Sequence, residues 1–101
     1  MMYKEEQRVA RMIRKHIIYS GHVQGVGFRW RAKKAAEMYD ITGWVRNDRN
    51  GTVSMEVQGT EEQIEAVILA IQRGMYIRID HMDSRTIPVD EKERGFRTEY
   101  D

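Results

Sequence analysis

The sequence has no cysteine and a single proline among its 101 residues. Without cysteine there is no disulfide framework, no thiolate nucleophile and no cysteine zinc site, so a small disulfide-rich secreted protein is excluded and the cytoplasm is the expected compartment. Metal ligands are also scarce, because His16, His22 and His81 lack the short spacing that directs two imidazoles at one ion. We therefore expect neither a metal nor another cofactor.

The sequence also lacks an excess of one charge and a long apolar run. Lys and Arg number 17 against 16 Asp and Glu, a net charge of +1, which does not favour a nucleic-acid partner. No stretch approaches the roughly 18 to 20 apolar residues of a membrane span, and the N-terminus lacks the apolar core of a signal peptide. The expected protein is a soluble monomer that binds neither membranes nor nucleic acid.

The length of the chain suits one compact domain. Residues 1–13 are a mostly polar N-terminal extension. Val9, Met12 and Ile13 have the spacing of a short helical stripe, and the segment is interpreted either as a short helix or as a frayed end. Residues 14–101 form the domain itself. Because no segment rich in proline, glycine or serine interrupts this stretch, no second domain is expected.

Apolar periodicity divides the first half of the domain into elements. The run Ile17-Ile18-Tyr19 predicts a strand over residues 16–20 that is buried on both faces and stops at Gly21. A helix is predicted from about Phe28 to Tyr39. Its alanine-rich apolar face suits close packing on a sheet.

Two strands of a hairpin are predicted next. Residues 41–46 are rich in β-branched and aromatic side chains, and residues 52–58 alternate apolar with polar ones. Between them Asn50-Gly51 supplies residues that tolerate positive φ, the strongest short-range signal for a hairpin turn. The sequence also spells a glycosylation sequon at this point, but a turn explains the same residues better.

The second half predicts another helix and further strands. Thr60 and Gln63 form a capping box before an apolar helical face, and Gly74 is the expected C-terminal cap. A weaker strand follows over residues 79–89, where Pro88 indicates a sheet edge or a strand end.

A charged loop is predicted over residues 90–94 and a final strand over residues 96–100. The order of all these elements predicts the fold. Alternation of this kind at this length is typical of an α+β protein, a ferredoxin-like α/β plait with βαββαβ order. Two helices are expected on one face of a mainly antiparallel sheet of four to five strands. Such folds host enzymes, carriers and nucleic-acid readers, so function has to be argued from a site.

Residues 21–29, GHVQGVGFR, are the most informative segment for function. Its glycines allow successive backbone N–H groups to turn inward, and the helix that follows leaves its first-turn N–H groups unpaired. Arg29 in that first turn adds a guanidinium group. The segment is therefore either an anion-binding loop or a merely tight structural turn. It matches neither of the two familiar phosphate-loop motifs.

This segment and residues 43–59, GWVRNDRNGTVSMEVQG, resemble the two signatures of the acylphosphatases, and the likeness extends over most of residues 14–100. The resemblance implies metal-independent hydrolysis of the carboxyl–phosphate bond of small-molecule acyl phosphates, with Arg29 as the catalytic arginine and Asn47 as the residue that orients water. It also implies a phosphate-binding loop formed by His22, Val23, Gln24, Gly25, Val26, Gly27 and Phe28.

The implied chemistry fits what the sequence lacks. A carboxylate with a conjugate-acid pKa of about 4 leaves without a general acid, so positioning and electrostatics can suffice. Asp48 is interpreted as a hairpin residue rather than a general base. The sequence departs from the family pattern at Tyr19, where an aliphatic residue is usual, and after Gly74, where Met75 replaces a common proline.

Two other functions are considered. Arg94-Gly95-Phe96 resembles the opening of an RNA-recognition signature, but the stacking aromatic residues of that motif belong on the third strand, where this chain has valine and methionine. The domain could also be a non-catalytic phosphate or acyl-phosphate binder, or a module like the acylphosphatase-like domain of a hydrogenase-maturation protein. The absence of zinc-finger cysteines favours the free-standing enzyme.

Overall fold

A computed structural model describes residues 11–101. Five strands form one sheet in the order β4-β1-β3-β2-β5, and every neighbouring pair is antiparallel except β2 with β5. Two helices pack on one face of this sheet, so the predicted ferredoxin-like α+β plait is confirmed. The elements are β1 (Ile13–His22), α1 (Phe28–Met38), β2 (Thr42–Asn47), β3 (Val53–Gly59), α2 (Glu61–Gln72), β4 (Arg78–Ile87) and β5 (Phe96–Tyr100).

The N-terminal extension predicted over residues 1–13 lies mostly outside the described residues. Of its helical stripe, Val9 is outside that range, Met12 is exposed and Ile13 is already the first residue of β1. A helix is therefore wrong for Met12 and Ile13, the two residues of the stripe that the structure describes. Ile13 pairs with Gly59 of β3, and this sheet pairing decides the backbone conformation there.

Strand β1 is buried on one face rather than on both. Ile17 and Tyr19 point into the core and are 0% exposed, whereas Ile18 is only half-buried. The reason lies in the tertiary structure. Both helices cover the same face of the sheet, so the other face of β1 has no helix packed against it. On the open face Ile18 lies between Ser54 of β3 and Asp83 of β4, two polar cross-strand partners.

The start of α2 is set by a local capping motif, whereas its end is not set by the glycine cap that the sequence predicts. The Thr60 capping box is present, with the Thr60 N–H donating to Gln63 Oε1 at 2.8 Å and the Gln63 N–H donating to Thr60 Oγ1 at 3.2 Å. Gly74, however, is not a left-handed cap: α2 ends at Gln72 with Arg73 as its C-cap, and a Cβ on Gly74 would lie 2.6 Å from Ile77 Cδ1. A larger residue there would require the Ile77 and Arg31 side chains to shift.

The hairpin and the edge strand agree with the sequence. Strands β2 and β3 pair antiparallel around a turn in which Gly51 has a φ of 95°. Strand β4 lies at one edge of the sheet and ends immediately before Pro88, as that proline predicted. Within residues 11–101 no helix is long and apolar enough to cross a membrane.

The open face of the sheet carries a buried ionic network around Arg14, which is only 4% exposed. Its guanidinium donates to Glu56 Oε1 at 2.9 Å, to Gln58 Oε1 at 3.1 Å and to the Glu93 carboxylate. The Glu93 side chain is 2% exposed although it belongs to the loop before β5. The network therefore fixes this loop, and with it the start of β5, against β1 and β3.

Tyr19 fills the core beneath the loop after β1, in edge contact with Phe28 at a ring-centroid distance of 4.9 Å. Its hydroxyl is buried without a hydrogen-bond partner among the described residues, and burial raises the pKa of this hydroxyl. An unsatisfied buried hydroxyl costs free energy, while the ring contributes apolar contact.

We expect Tyr19→Phe to keep the ring contacts and to raise the free energy of unfolding by about 1 kcal/mol. Urea denaturation measures the change, and Tyr76→Phe, at a side chain that is 72% exposed, is the matched control with no change. A clear loss of stability in Tyr19→Phe alone would show that the hydroxyl has a partner and would contradict this prediction.

Candidate active site

The loop between β1 and α1 is shaped by two glycines with left-handed backbone. Gly25 has a φ of 74° and Gly27 a φ of 81°, and a Cβ at either position would meet open space. Glycine is thus required for backbone conformation and not for lack of room. Gly27 is also the N-cap of α1, and no side chain caps the helix there. The first-turn N–H groups are therefore available to an anion.

A cavity of about 330 Å³ opens at this helix N-terminus. It lies between the loop, the first turns of α1 and the ends of β2 and β5. We call it the site cavity. Its walls are formed by Val23, Gly25, Gly27, Phe28, Arg29, Trp30, Lys33, Asn47, Thr98 and Tyr100.

The site cavity brings together Arg29 and Asn47, the two side chains singled out from the sequence as catalytic. Of the seven residues of the predicted phosphate-binding loop, four line it: Val23, Gly25, Gly27 and Phe28. The other three have different surroundings. His22 is the last residue of β1 and pairs with Arg78, Val26 borders a neighbouring groove, and Gln24 turns towards the hairpin.

The Gln24 side chain joins the loop to the β2–β3 turn. Its Nε2 donates to the backbone carbonyl oxygens of Asp48 at 2.7 Å and Thr52 at 2.8 Å. The Asp48 N–H in turn donates to the Thr52 carbonyl oxygen at 2.8 Å, so both acceptors belong to one closed turn. Since Asn47 immediately precedes this turn, the position of Asn47 relative to the loop depends on Gln24.

Asn47 is the last residue of β2, between Val53 of β3 and Tyr100 of β5 in the sheet register. Its Oδ1 is buried and accepts no hydrogen bond from any residue in the 11–101 range. A carboxamide oxygen can accept two hydrogen bonds. Asn47 therefore lines the site cavity with a carboxamide oxygen that has no hydrogen-bond partner among the described residues.

Arg29 lies in the first turn of α1 with its guanidinium carbon 5.8 Å from the centre of the Tyr100 ring. Within the described part of the chain it forms no ion pair with a carboxylate. Lys33 is the other charged residue of the cavity wall. The cavity consequently has two cations and backbone N–H groups but no acidic side chain, which favours an anionic ligand.

Asp48 follows Asn47 in the sequence but does not line the site cavity. Its Oδ2 accepts hydrogen bonds from Ser54 Oγ at 2.6 Å and Thr52 Oγ1 at 2.8 Å, and its Oδ1 lies 2.9 Å from Arg46 Nε. Burial alone would raise the pKa of this carboxyl, but hydrogen bonds from Ser54 and Thr52 and the Arg46 ion pair outweigh burial and lower it. The carboxylate is a turn-stabilising group, as the sequence indicated.

Four residues of the cavity wall were not predicted as site residues from the sequence: Trp30, Lys33, Thr98 and Tyr100. Thr98 and Tyr100 come from β5, and nothing local in the sequence shows that β5 pairs in parallel with β2 beside the loop. Lys33 could have been found, because it lies one helical turn after Arg29 and on the same side of α1. Among residues 11–101 no group of three or more His, Cys, Asp or Glu side chains could hold a metal ion.

Comparison with known proteins agrees with this geometry. The family model described as Acylphosphatase matches residues 15–98. The chain belongs to the acylphosphatase family. The acylphosphatase of Geobacillus kaustophilus is 41% identical over 92 residues, an alignment that covers 88% of this chain and 96% of that protein. The enzyme class and family implied by the two sequence signatures are therefore confirmed.

Solved structures of acylphosphatases have the same fold. The acylphosphatase from Bacillus subtilis is 27% identical with a TM-score of 0.81, and the match covers 87% of this chain and 99% of that one. Full-length HypF, in a phosphate- and nucleotide-bound form, is 33% identical with a TM-score of 0.80 over 90% of this chain. Only 12% of HypF is matched, so the likeness is to one part of that larger protein.

We expect Asp48→Asn to lower the free energy of unfolding by about 1 kcal/mol at pH 7, because a charged acceptor of three hydrogen bonds is lost. The folded-state pKa of Asp48 is lowered, so its contribution is complete above the unfolded value of about 4 and disappears as the pH falls below it. Urea denaturation of both proteins between pH 7 and pH 3 measures the difference. A difference that persisted unchanged at pH 3 would contradict this account.

Proposed function

We propose that this acylphosphatase hydrolyses the carboxyl–phosphate bond of small-molecule acyl phosphates with Arg29 and Asn47 as its catalytic residues. The observation that carries the proposal is that both side chains line the cavity at the uncapped N-terminus of α1. Water adds to phosphorus, the bond between phosphorus and the acyl oxygen breaks, and a carboxylate leaves with that electron pair. Inorganic phosphate is the second product, and the proton of the water passes to solvent or product.

Arg29 and the loop N–H groups hold the phosphoryl group. A guanidinium at the N-terminus of a helix offers two parallel donors and a full charge, while the backbone N–H groups add fixed dipoles. In a loose phosphoryl-transfer transition state charge is spread over the equatorial oxygens. Donors that are already in place stabilise this charge without reorganisation. The absence of a carboxylate from the cavity wall preserves the field that Arg29 provides.

Asn47 orients the attacking water. Asn47 lines the same cavity as Arg29 and the loop residues, so its side-chain amide provides a polar group for binding the attacking water. A neutral amide does not repel the phosphoryl oxygens as a carboxylate would. A strong base is not needed, because the leaving carboxylate is stable at neutral pH and the barrier is lowered chiefly by positioning.

The same proposal includes a monomeric cytoplasmic enzyme without a nucleic-acid ligand. The exposed edge strand β4 carries Arg78, Asp80, Asp83 and Arg85, and charged edges resist pairing with a second sheet. Phe96, the aromatic residue of the RNA-like tripeptide, is 8% exposed and belongs to the core. The absence of cysteine suits a reducing compartment.

The roles of Arg29 and Asn47 are separable by experiment. With benzoyl phosphate as substrate and excess chelator present, we expect Arg29→Ala to lower kcat/KM by about 1,000-fold or more and to abolish competitive inhibition by inorganic phosphate. We expect Asn47→Ala to lower kcat by about 100-fold while the inhibition constant for phosphate changes little. Arg85→Ala, at an exposed arginine of β4, is the matched control.

Full turnover in Asn47→Ala would contradict the water-orienting role. Phosphate inhibition that survives in Arg29→Ala would place the phosphoryl site elsewhere. Loss of wild-type turnover on addition of chelator would contradict metal-independent hydrolysis, and an inactive wild type that still binds phosphate would favour the non-catalytic binder.

The Gln24 side chain gives a further prediction, because a carboxylate in its place cannot donate to the two carbonyl oxygens of the turn. We expect Gln24→Glu to shift Asn47 and to lower kcat by about 10- to 100-fold, since small misplacements of catalytic groups are costly. The inhibition constant for phosphate should change far less. Gln72→Glu, on the exposed end of α2, is the control for the added charge. Equal losses of kcat and of phosphate affinity in Gln24→Glu would contradict a role through Asn47.

A further inference from the structure

The wall of the site cavity contains a charged side chain that the mechanism above does not use. The only charged wall residues, within the described chain, are Arg29 and Lys33, and both are cations. The loop N–H groups and Arg29 already provide donors for the phosphoryl oxygens. Lys33 is therefore a second positive charge at the same opening, and the mechanism above does not use it.

The helix geometry places Lys33 one turn beyond Arg29. Lys33 follows Arg29 by four residues on α1, so their Cα atoms lie on the same side of the helix and about 6 Å apart along its axis. A phosphoryl group held beside Arg29 at the helix N-terminus thus leaves Lys33 level with the acyl part of the substrate. The flexible lysine side chain can therefore reach a second acidic group at the far end of a short acyl chain.

No other group competes for Lys33. Within residues 11–101 it forms no ion pair, although Glu37 lies one further turn along α1. Lys34, the adjacent lysine, differs: it does not line the site cavity, and its Nζ lies 5.8 Å from the centre of the Trp30 ring. The chain therefore contains two neighbouring lysines of equal charge, of which one belongs to the cavity.

We propose that Lys33 binds an anionic group on the acyl part of the substrate, so that this enzyme prefers the monoacyl phosphates of short dicarboxylic acids. The proposal rests on the proposed function. Trp30 and Tyr100 also line the cavity and would offer apolar contact to the carbon chain between the two charged ends. Lys33 is a specificity-determining residue and takes no part in bond cleavage.

The test compares two substrates that differ in one group. Fumaryl monophosphate and crotonoyl phosphate have the same trans-unsaturated four-carbon acyl chain, which ends in a carboxylate in the first and a methyl group in the second. The rigid trans double bond prevents the carboxylate from attacking its own acyl carbon. The protein has no cysteine that could add to either substrate.

We expect wild-type kcat/KM to favour fumaryl monophosphate, and Lys33→Gln to reduce the ratio of the two kcat/KM values by about five-fold, the upper range for a solvent-accessible ion pair. Lys33→Arg should retain the preference, and Lys33→Glu should reduce the ratio further. Added salt should weaken the preference in the wild type, because accessible charges are screened. Lys34→Gln is the matched control and should leave the ratio unchanged.

Each outcome decides one question. An unchanged ratio of the two kcat/KM values in Lys33→Gln would overturn the assignment to Lys33. An equal fall of this ratio in Lys34→Gln would also overturn it, because the preference would then come from the overall positive charge of α1 and not from a contact with Lys33. Turnover of crotonoyl phosphate without any preference for fumaryl monophosphate would also overturn it while the proposed function stands. If the wild type hydrolysed neither substrate, the proposed function itself would fail.

Discussion

The site of this acylphosphatase depends on a contact between two segments that are distant in sequence. The anion-binding loop can form locally, because Gly25 and Gly27 and the start of α1 are continuous. Asn47, however, reaches the same cavity only through the β2–β3 hairpin. The paired hydrogen bonds from Gln24 to Asp48 and Thr52 fix the hairpin against the loop. These two bonds therefore connect the glycine-rich loop with the strand end that carries Asn47.

A second set of contacts, on the open face of the sheet, fixes the loop before β5. Arg14 on β1 is buried with Glu56 of β3 and with Glu93, which belongs to the loop before β5. Burial of an ion pair adds little net stability, but it selects one arrangement strongly, because separation of the partners would leave a buried charge. The selected arrangement places β5 in parallel beside β2. Thr98 and Tyr100 reach the cavity for this reason.

The sequence predicted those features whose cause is local. The capping box at Thr60 and the turn at Gly51 depend on neighbouring residues and were predicted correctly. The loop and the roles of Arg29 and Asn47 came from motif resemblance, and the structure places both side chains in one cavity without testing their roles.

The features that were wrong or missed have tertiary causes. Ile18 is less buried than the sequence predicts, because both helices cover the opposite face of the sheet. Gly74 is not the predicted left-handed cap; it lies close to the side chains of Ile77 and Arg31, the second of which comes from α1. Thr98 and Tyr100 could not be assigned, because their place depends on the strand order.

Strand alternation explains how Asp48, an acidic residue next to Asn47 in the sequence, stays out of the site cavity. Asn47 and Asp48 are consecutive, so their side chains leave the backbone on opposite sides. Asn47 faces the cavity, while the Asp48 carboxylate is held by Ser54, Thr52 and Arg46. Hydrogen bonds that lower the pKa of Asp48 also prevent it from turning towards the phosphoryl site. Among the described residues the charged side chains of the cavity wall, Arg29 and Lys33, are therefore both positive, which is the condition on which the proposed role of Lys33 depends.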